Sequence, residues 1–228
     1  ILDQKKLHKT VETIASQKFA TDEEMLQTVV NEIVHDHSTG FTGGRIWKLY
    51  PEIEGYQLLY QTGKMEKIEK NFVIRAFEYP VFEQLALSRT ILGHETIEAL
   101  RQKGIFKYSA SGVGHKTKIL NKPFYEYVLA LNSKNIDEEL RVNLSIIATA
   151  LTSQIKQRRI SQSANQLKAD INKARQLQKS ILPEHEFKFH HFDIYGITDP
   201  AEIVGGDFFD YLDIGENNDR VGITIGDA

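Results

Sequence analysis

The sequence predicts an α+β protein, in which helices flank a β-sheet, a long helix follows, and a second β-rich segment ends the chain. Three observations lead to this fold class. Apolar residues in the first 35 positions recur at helical spacing, whereas residues 43–63 and 105–132 alternate as strands do. Residues 136–182 contain no proline or glycine, which is typical of one long helix.

The composition is that of a globular protein with a core of ordinary size. Of its 228 residues, 41% are hydrophobic and 26% are charged. A formal net charge of −3 gives no electrostatic reason to expect nucleic acid or an anionic membrane as a partner. The absence of cysteine excludes disulfides, thiolate metal ligands and a cysteine nucleophile.

The sequence also bears on where the protein is found. It has no apolar run near the roughly 18 residues that a membrane-spanning helix needs. It lacks the basic start and apolar core of a signal peptide. We therefore expect a cytoplasmic protein with no membrane segment. Because the first residue is Ile1 and not methionine, we also expect a cut N-terminus.

The first two predicted elements are helices. Helical spacing of apolar residues predicts one helix over residues 1–20. Thr21 follows as a candidate N-cap, and Glu24 three residues later completes a capping box. The helix that begins there is expected to bury one apolar face, formed by Met25, Leu26, Val29, Val30, Ile33 and Val34.

The next hundred residues are predicted to form most of a sheet. Residues 43–50 and 55–63 read as a hairpin around a turn with proline and glycine. Residues 77–104 predict two short helices, and Val81, Leu85 and Leu87 fit the first. Three further strands are predicted at 105–114, 116–122 and 123–132, and the last is apolar enough to be central. From the residues alone, a mixed sheet with helices against one face fits 21–155.

The predicted long helix carries two apolar stripes. Leu140, Leu144, Ile147, Leu151 and Ile155 form the first, and Ile160, Ala164, Leu167, Ile171, Ala174 and Ile181 form the second. The stripes fall out of step near residues 156–159, which indicates a stutter. Small and medium residues in the second stripe favour a dimeric coiled coil through 136–182. The alternative is a solvated helix that packs on its own domain. Pro183 ends the helix.

This succession of elements resembles a GAF domain, which implies a six-stranded antiparallel sheet flanked by helices and a small-ligand pocket. The sequence does not identify the ligand. The pattern of cyclic-nucleotide GAF domains is incomplete, because residues 132–140 offer Asn132, Lys134, Asp137 and Glu138 but lack its phenylalanine. Without cysteine, the thioether link to a bilin cannot form. The predicted organisation is an N-terminal helix (1–20), a GAF sensor domain (21–155), a coiled-coil linker (156–183) and a last segment (184–228).

The last part of the chain contains three spaced motifs, ARQLQKSILP at 174–183, DPAEIVGGDFFDYL at 199–212 and VGITIGDA at 221–228. Together they resemble the opening of the RsbU/SpoIIE class of metal-dependent (PPM-type) serine/threonine protein phosphatases. The matching residues are Gln178, Leu182 and Pro183; Pro200, Ala201, Val204, Gly205, Gly206, Asp207, Phe208 and Asp210; and Gly226 and Asp227. The resemblance implies that 184–228 contains the first strands of a truncated phosphatase β-sandwich.

The resemblance also implies a metal site. Asp227 would bridge two Mn²⁺ or Mg²⁺ ions, Asp207 would lie near the second ion, and the backbone carbonyl of Ala228 would complete the first shell. Taken singly, a GGD or GD sequence is more often a turn or a strand end. Asp210 and Asp213 are left out of the ligand set. Because two carboxylates cannot hold a binuclear centre, we expect this chain to be a truncated, inactive portion of an active parent enzyme.

The function that these resemblances imply is regulation of a bacterial protein phosphatase in signal transduction. Expected partners are a second copy of the chain through residues 136–182 and a phosphoprotein substrate, such as an anti-sigma-factor antagonist. Two alternatives remain open. In the first, the chain is a non-catalytic GAF module with a degenerate phosphatase remnant. In the second, it is a GAF domain joined to a different output domain, such as a kinase or cyclase.

Overall fold

The computed structural model describes residues 4–36, 40–133, 135–199, 205–214 and 219–227. The chain divides into two compact units, Ile1–Arg158 and Arg159–Ala228, which are described separately. Within the described residues, no helix combines the length and the apolar character that crossing a membrane requires. The domain limits predicted from the sequence stay predictions.

The first unit is built around a six-stranded sheet. In chain order its elements are α1 (Gln4–Ser16), α2 (Asp22–His35), β1 (Phe41–Tyr50), β2 (Gly55–Gly63), β3 (Val73–Arg75), α3 (Pro80–Ser88), β4 (Thr90–His94), α4 (Glu98–Arg101), β5 (Lys107–Ile119), β6 (Lys122–Ser133) and the start of α5 (Glu138–Ile181). The strand order is β3-β2-β1-β6-β5-β4, and every ladder is antiparallel. The predicted hairpin and the central position of the last strand are confirmed, whereas the mixed sheet was wrong.

Helices cover both faces of the sheet, not one face as the residues alone suggested. Successive strand residues belong to different cores, because side chains alternate across a strand. Ile46 and Tyr127 pack with α1, α2 and α5, while Trp47 and Val128 pack with α3 and α4 on the other face. The site described below lies on the face of the sheet that carries the second of these cores.

The β5 strand corrects the predicted division of residues 105–122 into two strands. The chain continues through Gly114, which adopts φ +87° in a bulge between Val113 and Lys116. Glycine takes this backbone conformation without a Cβ clash, so the strand that was expected to end at residue 114 continues. The turn comes later, at Leu120 and Asn121, which both have positive φ.

Residues 73–104 contain two strands that the sequence analysis did not predict. The three-residue β3 and the five-residue β4 form the two edges of the sheet. The two predicted short helices are present as α3 and α4, with β4 between them. Val81, Leu85 and Leu87 lie in the first helix, and the side chain of Leu87 is 91% exposed.

The α2 helix forms as its sequence predicts. The Thr21 hydroxyl accepts a hydrogen bond from the Glu24 amide (3.0 Å), and the Glu24 carboxylate accepts one from the Ala20 amide (2.5 Å). Two otherwise unpaired amides at the helix start are thereby satisfied. The six predicted apolar residues of the helix are all buried.

The long helix α5 is confirmed over Glu138–Ile181, and Asp137 caps it by accepting from the Leu140 amide (2.8 Å). Its first apolar stripe is buried in the first unit: Leu140, Leu144, Ile147, Leu151 and Ile155. At the end of that unit, the Arg158 guanidinium donates to the Ala20 carbonyl (2.8 Å) and pairs with Asp22 (3.3 Å). The predicted pairing with a second chain stays a prediction.

The second unit contains the rest of α5 and two hairpins. β7 (Glu186–Phe189) pairs with β8 (Phe192–Tyr195), and β9 (Phe208–Ile214) pairs with β10 (Arg220–Gly226). The side-chain amide of Gln178 donates to the Gly205 carbonyl (2.5 Å), and its oxygen accepts from the Gly205 amide (3.3 Å). The end of α5 is therefore joined to the loop that precedes β9.

Candidate functional site

The first unit encloses a small cavity between the sheet and helices α3 and α4. Its volume is about 30 Å³, which holds roughly two water molecules. Most of the wall is apolar, including Trp47, Ile74, Val81, Phe82, Leu100 and Ile105. Five polar side chains complete it: Arg45, Tyr79, Glu95, Tyr108 and Asn132.

Arg45 is an unusual residue to find in this wall. It lies on β1 opposite Ala130 of β6, and its side chain is only 4% exposed. One terminal nitrogen, Nη1, donates to Asn132 Oδ1 (2.7 Å), and Nη2 donates to the Glu66 carbonyl (3.3 Å). The Nε–H group has no hydrogen-bond acceptor among the described residues. A buried cation is therefore held by neutral groups alone.

Glu95 lies in the same wall and is 7% exposed, but it accepts hydrogen bonds from three groups of the chain. It follows β4 and accepts from the amides of Thr96 and Ile97, both at 2.8 Å. The Tyr79 hydroxyl, 3.1 Å from Oε2, supplies a third hydrogen bond, and the Tyr108 hydroxyl lies 2.9 Å from that of Tyr79. These donors compensate the carboxylate locally.

Burial shifts the pKa values of Arg45, Tyr79 and Tyr108 in this cluster. It lowers the pKa of Arg45 to about 10, although the nearby Glu95 carboxylate opposes that shift. It raises the pKa of Tyr108 to about 12. Burial, followed by the hydrogen bond to Tyr108, also raises the pKa of Tyr79 well above its usual range. At neutral pH both phenols are therefore neutral and the guanidinium is charged.

Sequence reasoning missed this cluster, apart from Asn132. That residue was considered as part of a cyclic-nucleotide pattern, and here it orients Arg45. Of the others in that pattern, Asp137 caps α5 and Glu138 pairs with Arg141, while Lys134 lies outside the described residues. The available signal was an arginine inside the apolar strand GGRIWKLY, on the same face as Trp47.

The predicted metal ligands lie in the second unit, at the same end of one hairpin. Phe208 of β9 pairs with Gly226 of β10, so Asp207 and Asp227 lie beyond the same pair of strand ends. Both side chains are exposed, and both line a surface pocket together with Asp199. Ala228, the third predicted ligand, lies outside the described residues.

A metal site is not complete in this part of the molecule. In the described ranges, no three His, Asp or Glu side chains lie close enough together to hold an ion. The two aspartates offer the hard oxygen ligands that Mn²⁺ and Mg²⁺ prefer. Their role as metal ligands stays a prediction.

Comparison with known proteins identifies the fold of the first unit. No family model matches the sequence, and no curated protein matches it. Among solved structures, the GAF domain of a phosphoenolpyruvate-protein phosphotransferase from Coxiella burnetii is 11% identical with a TM-score of 0.50, covering 69% of this chain and 94% of that one. The first unit has a GAF fold.

Two further solved structures are similar to this chain. The phycoerythrobilin-bound GAF domain of a cyanobacterial phytochrome is 12% identical with a TM-score of 0.51, covering 71% of this chain and 99% of its own. A bacteriophytochrome from R. palustris is 10% identical with a TM-score of 0.51, covering 74% of this chain and 41% of its own. The six-stranded antiparallel sheet that the GAF resemblance implied is confirmed.

Proposed function

We propose that this chain is the sensor and linker portion of a metal-dependent serine/threonine protein phosphatase of the RsbU/SpoIIE type. One observation carries the proposal: the three phosphatase-like motifs are joined in the second unit. Gln178 of the first motif is hydrogen-bonded to Gly205 of the second. Phe208 of the second motif pairs with Gly226 of the third. Contacts of this kind are expected when the motifs form one functional site.

The proposed role of this hairpin is to hold metal ions. Asp207 and Asp227 lie at one end of β9 and β10, where exposed carboxylates can bind Mn²⁺ or Mg²⁺. Such ions, when bound, supply an activated water that attacks the phosphoester. Gly205 and Gly206 precede Asp207, and the Gln178 side chain fixes the first of them. Further metal ligands would come from sequence beyond Ala228.

The proposed role of the GAF domain is to sense a small molecule. Its enclosed cavity combines an apolar wall with a few placed polar groups, which is the usual character of a ligand pocket. Helix α5 begins in the first unit and ends at the residues that contact Gly205. We propose that occupancy of the cavity changes the packing of α5, and that α5 then alters the position of Asp207.

We also propose that α5 pairs with a second copy of the chain. Three apolar residues at the same heptad position are exposed: Ile160, Leu167 and Ile181. Burying them against a second helix would stabilise a dimer. The proposed substrate is a bacterial phosphoprotein, such as an anti-sigma-factor antagonist, in the cytoplasm.

Hydrolysis of a phosphoserine peptide with Mn²⁺ tests the proposal on the intact protein, meaning the complete product of the gene. We expect metal-dependent hydrolysis that falls at least about 100-fold in Asp227→Asn, because a bridging ligand is lost. Asp207→Asn should weaken metal binding in calorimetry. The matched control is Asp213→Asn on β9, whose rate should stay within about twofold of wild type.

The alternative, a non-catalytic GAF module with a phosphatase remnant, makes the opposite prediction. The intact protein would then hydrolyse no phosphopeptide at any Mn²⁺ concentration. A rate that is equal in Asp227→Asn and wild type would also rule out the proposed metal site.

A further inference from the structure

The cavity of the GAF domain holds a buried cation whose hydrogen bonds all go to neutral groups, although the Glu95 carboxylate lies in the same wall. Arg45 is almost fully buried and, among the described residues, makes no ion pair. Asn132 occupies its Nη1 group, and only a 3.3 Å contact with a carbonyl engages Nη2. The Nε–H and Nη2 groups lie side by side in a guanidinium and together form a fork that fits a carboxylate.

The negative charge in the same wall does not take this role. Glu95 receives its hydrogen bonds from two backbone amides and from Tyr79, so its oxygens are already engaged. Leaving a buried donor unpaired is costly, and an arginine Nε–H buried in this way is therefore expected to meet an acceptor from outside the chain.

The remaining wall limits the size and polarity of that acceptor. A cavity of about 30 Å³ holds roughly two water molecules, so even a short organic ligand enters only with some outward movement of the wall, and larger molecules are disfavoured. The side chains of Val81, Phe82 and Ile105 offer contacts to an aliphatic end and no hydrogen bonds to a second polar group. Both properties favour a short molecule with one anionic end.

We propose that the GAF cavity binds a small organic monocarboxylate of two to four carbon atoms, with its carboxylate on Arg45 and its alkyl end against the apolar wall. This inference rests on the proposed role of the first unit as a small-ligand sensor. Inorganic phosphate is a poorer fit, because it carries more charge than one guanidinium compensates and its remaining oxygens would face the apolar wall. A primary amine would bring a second positive charge to Arg45 and is also disfavoured.

Titration of the 228-residue chain with acetate, propionate and butyrate tests this proposal. Calorimetry should give a dissociation constant on the order of 0.1 mM for the best of them, near the limit for so few heavy atoms. Acetamide and propionamide have nearly the same shape without the charge. They should bind at least about 30-fold more weakly, because a charge-assisted hydrogen bond is lost.

Methyl-labelled NMR locates the binding. Shifts should appear at Ile105 and Val128, which line the cavity, and not at Ile33 and Ile147, which pack on the opposite face of the sheet. Arg45→Met, which keeps the length of the side chain, should weaken carboxylate binding at least about 30-fold. The matched control, Arg75→Gln on the edge strand β3, should bind within about twofold of wild type.

The outcomes separate this inference from the proposed function. Three results would overturn the inference: amides bind as tightly as carboxylates, phosphate or amines bind more tightly than carboxylates, or none of these molecules binds. The comparison of amides with carboxylates uses the wild-type protein alone. If another class of molecule shifts the cavity methyls, the carboxylate inference fails while the sensor proposal stands. If carboxylates bind but the intact protein lacks phosphatase activity, the inference stands and the phosphatase proposal fails.

Discussion

At the scale of single residues, Glu23 joins three elements of the GAF domain through one carboxylate oxygen. Its Oε1 accepts from Lys48 Nζ of β1 and from the Tyr127 hydroxyl of β6, both at 2.9 Å. Glu23 itself lies in the first turn of α2, where the helix dipole also favours a negative charge. The contact fixes the start of α2 against the centre of the sheet.

The effect of pH on stability follows from this contact. Partial burial acts to raise the pKa of Glu23, but the hydrogen bonds from Lys48 and Tyr127 outweigh it, and the pKa lies below its ordinary value. A carboxyl group whose pKa is lowered by folding stabilises the fold above its unfolded pKa of about 4.3. That contribution is lost as the pH falls through the folded pKa.

We therefore expect Glu23→Gln to destabilise the protein by about 1 kcal/mol at pH 7, because two hydrogen bonds lose their charged acceptor. The difference from wild type should shrink as the pH falls below the unfolded pKa of about 4.3 and through the lower folded pKa, because the wild-type carboxylate then becomes protonated. Urea unfolding at pH 7 and pH 3.5 measures both values. A difference that is constant with pH would contradict this account.

The spacing of apolar residues predicted which side chains of a helix are buried, but it did not predict which polar side chains meet in the cavity. The burial of six apolar residues of α2 could be read from their spacing, because helix periodicity and core packing obey the same geometry. The meeting of Arg45 with Asn132 could not be read in this way. Those residues are 87 positions apart, and only the pairing of β1 with β6 brings them together.

At the scale of elements, α5 is one helix with two environments. Up to Ile155 its apolar stripe is buried in the GAF core, and beyond that point its apolar residues are largely exposed. Leu151 is fully buried and Leu167 is 61% exposed, although both are leucines in the same helix. They form a matched pair for testing where the helix is packed.

We expect Leu151→Ala to destabilise the GAF domain by about 2–5 kcal/mol, because it leaves a cavity in the core. Leu167→Ala should change the stability by less than about 0.5 kcal/mol at protein concentrations where the chain is monomeric. Chemical denaturation of both variants gives the comparison. Equal losses of stability would mean that the second half of α5 is packed in the monomer.

The sheet contains the strands whose limits or existence were predicted wrongly from the sequence. One strand was predicted to end at residue 114, but pairing with β6 carries β5 through a bulge at Gly114. The short edge strands β3 and β4 carry too few residues for a periodic pattern. Long-range strand pairing decided these elements, and local sequence does not encode such pairing.

At the scale of the whole molecule, the GAF fold was predictable from the order and type of the helices and strands. That order can be read from the sequence even where no single motif identifies the fold. The six-stranded antiparallel order is confirmed, although the structural neighbours share only 10–12% identity with this chain. The phosphatase assignment rests on three short motifs. It is a proposal, and a measurement of activity has to test it.

Signal transmission through a paired α5 makes a prediction about assembly. Leu167→Glu with Ile171→Glu should dissociate the dimer in analytical ultracentrifugation, because two charges per chain would enter the apolar seam. Asn165→Glu with Asn172→Glu provides a matched control, since both lie away from that seam and add the same charge. A control variant that dissociates equally would contradict pairing through this stripe.

The central claim is that α5 regulates a phosphatase. The most direct test measures the rate of phosphoserine peptide hydrolysis by the intact protein at saturating Mn²⁺, and compares wild type with the Leu167→Glu, Ile171→Glu variant. The account predicts a change of at least about fivefold, the usual size of a regulatory coupling, while the asparagine control stays within about twofold. Equal rates in all three proteins would contradict regulation through α5, and absence of hydrolysis in the wild type would contradict the phosphatase itself.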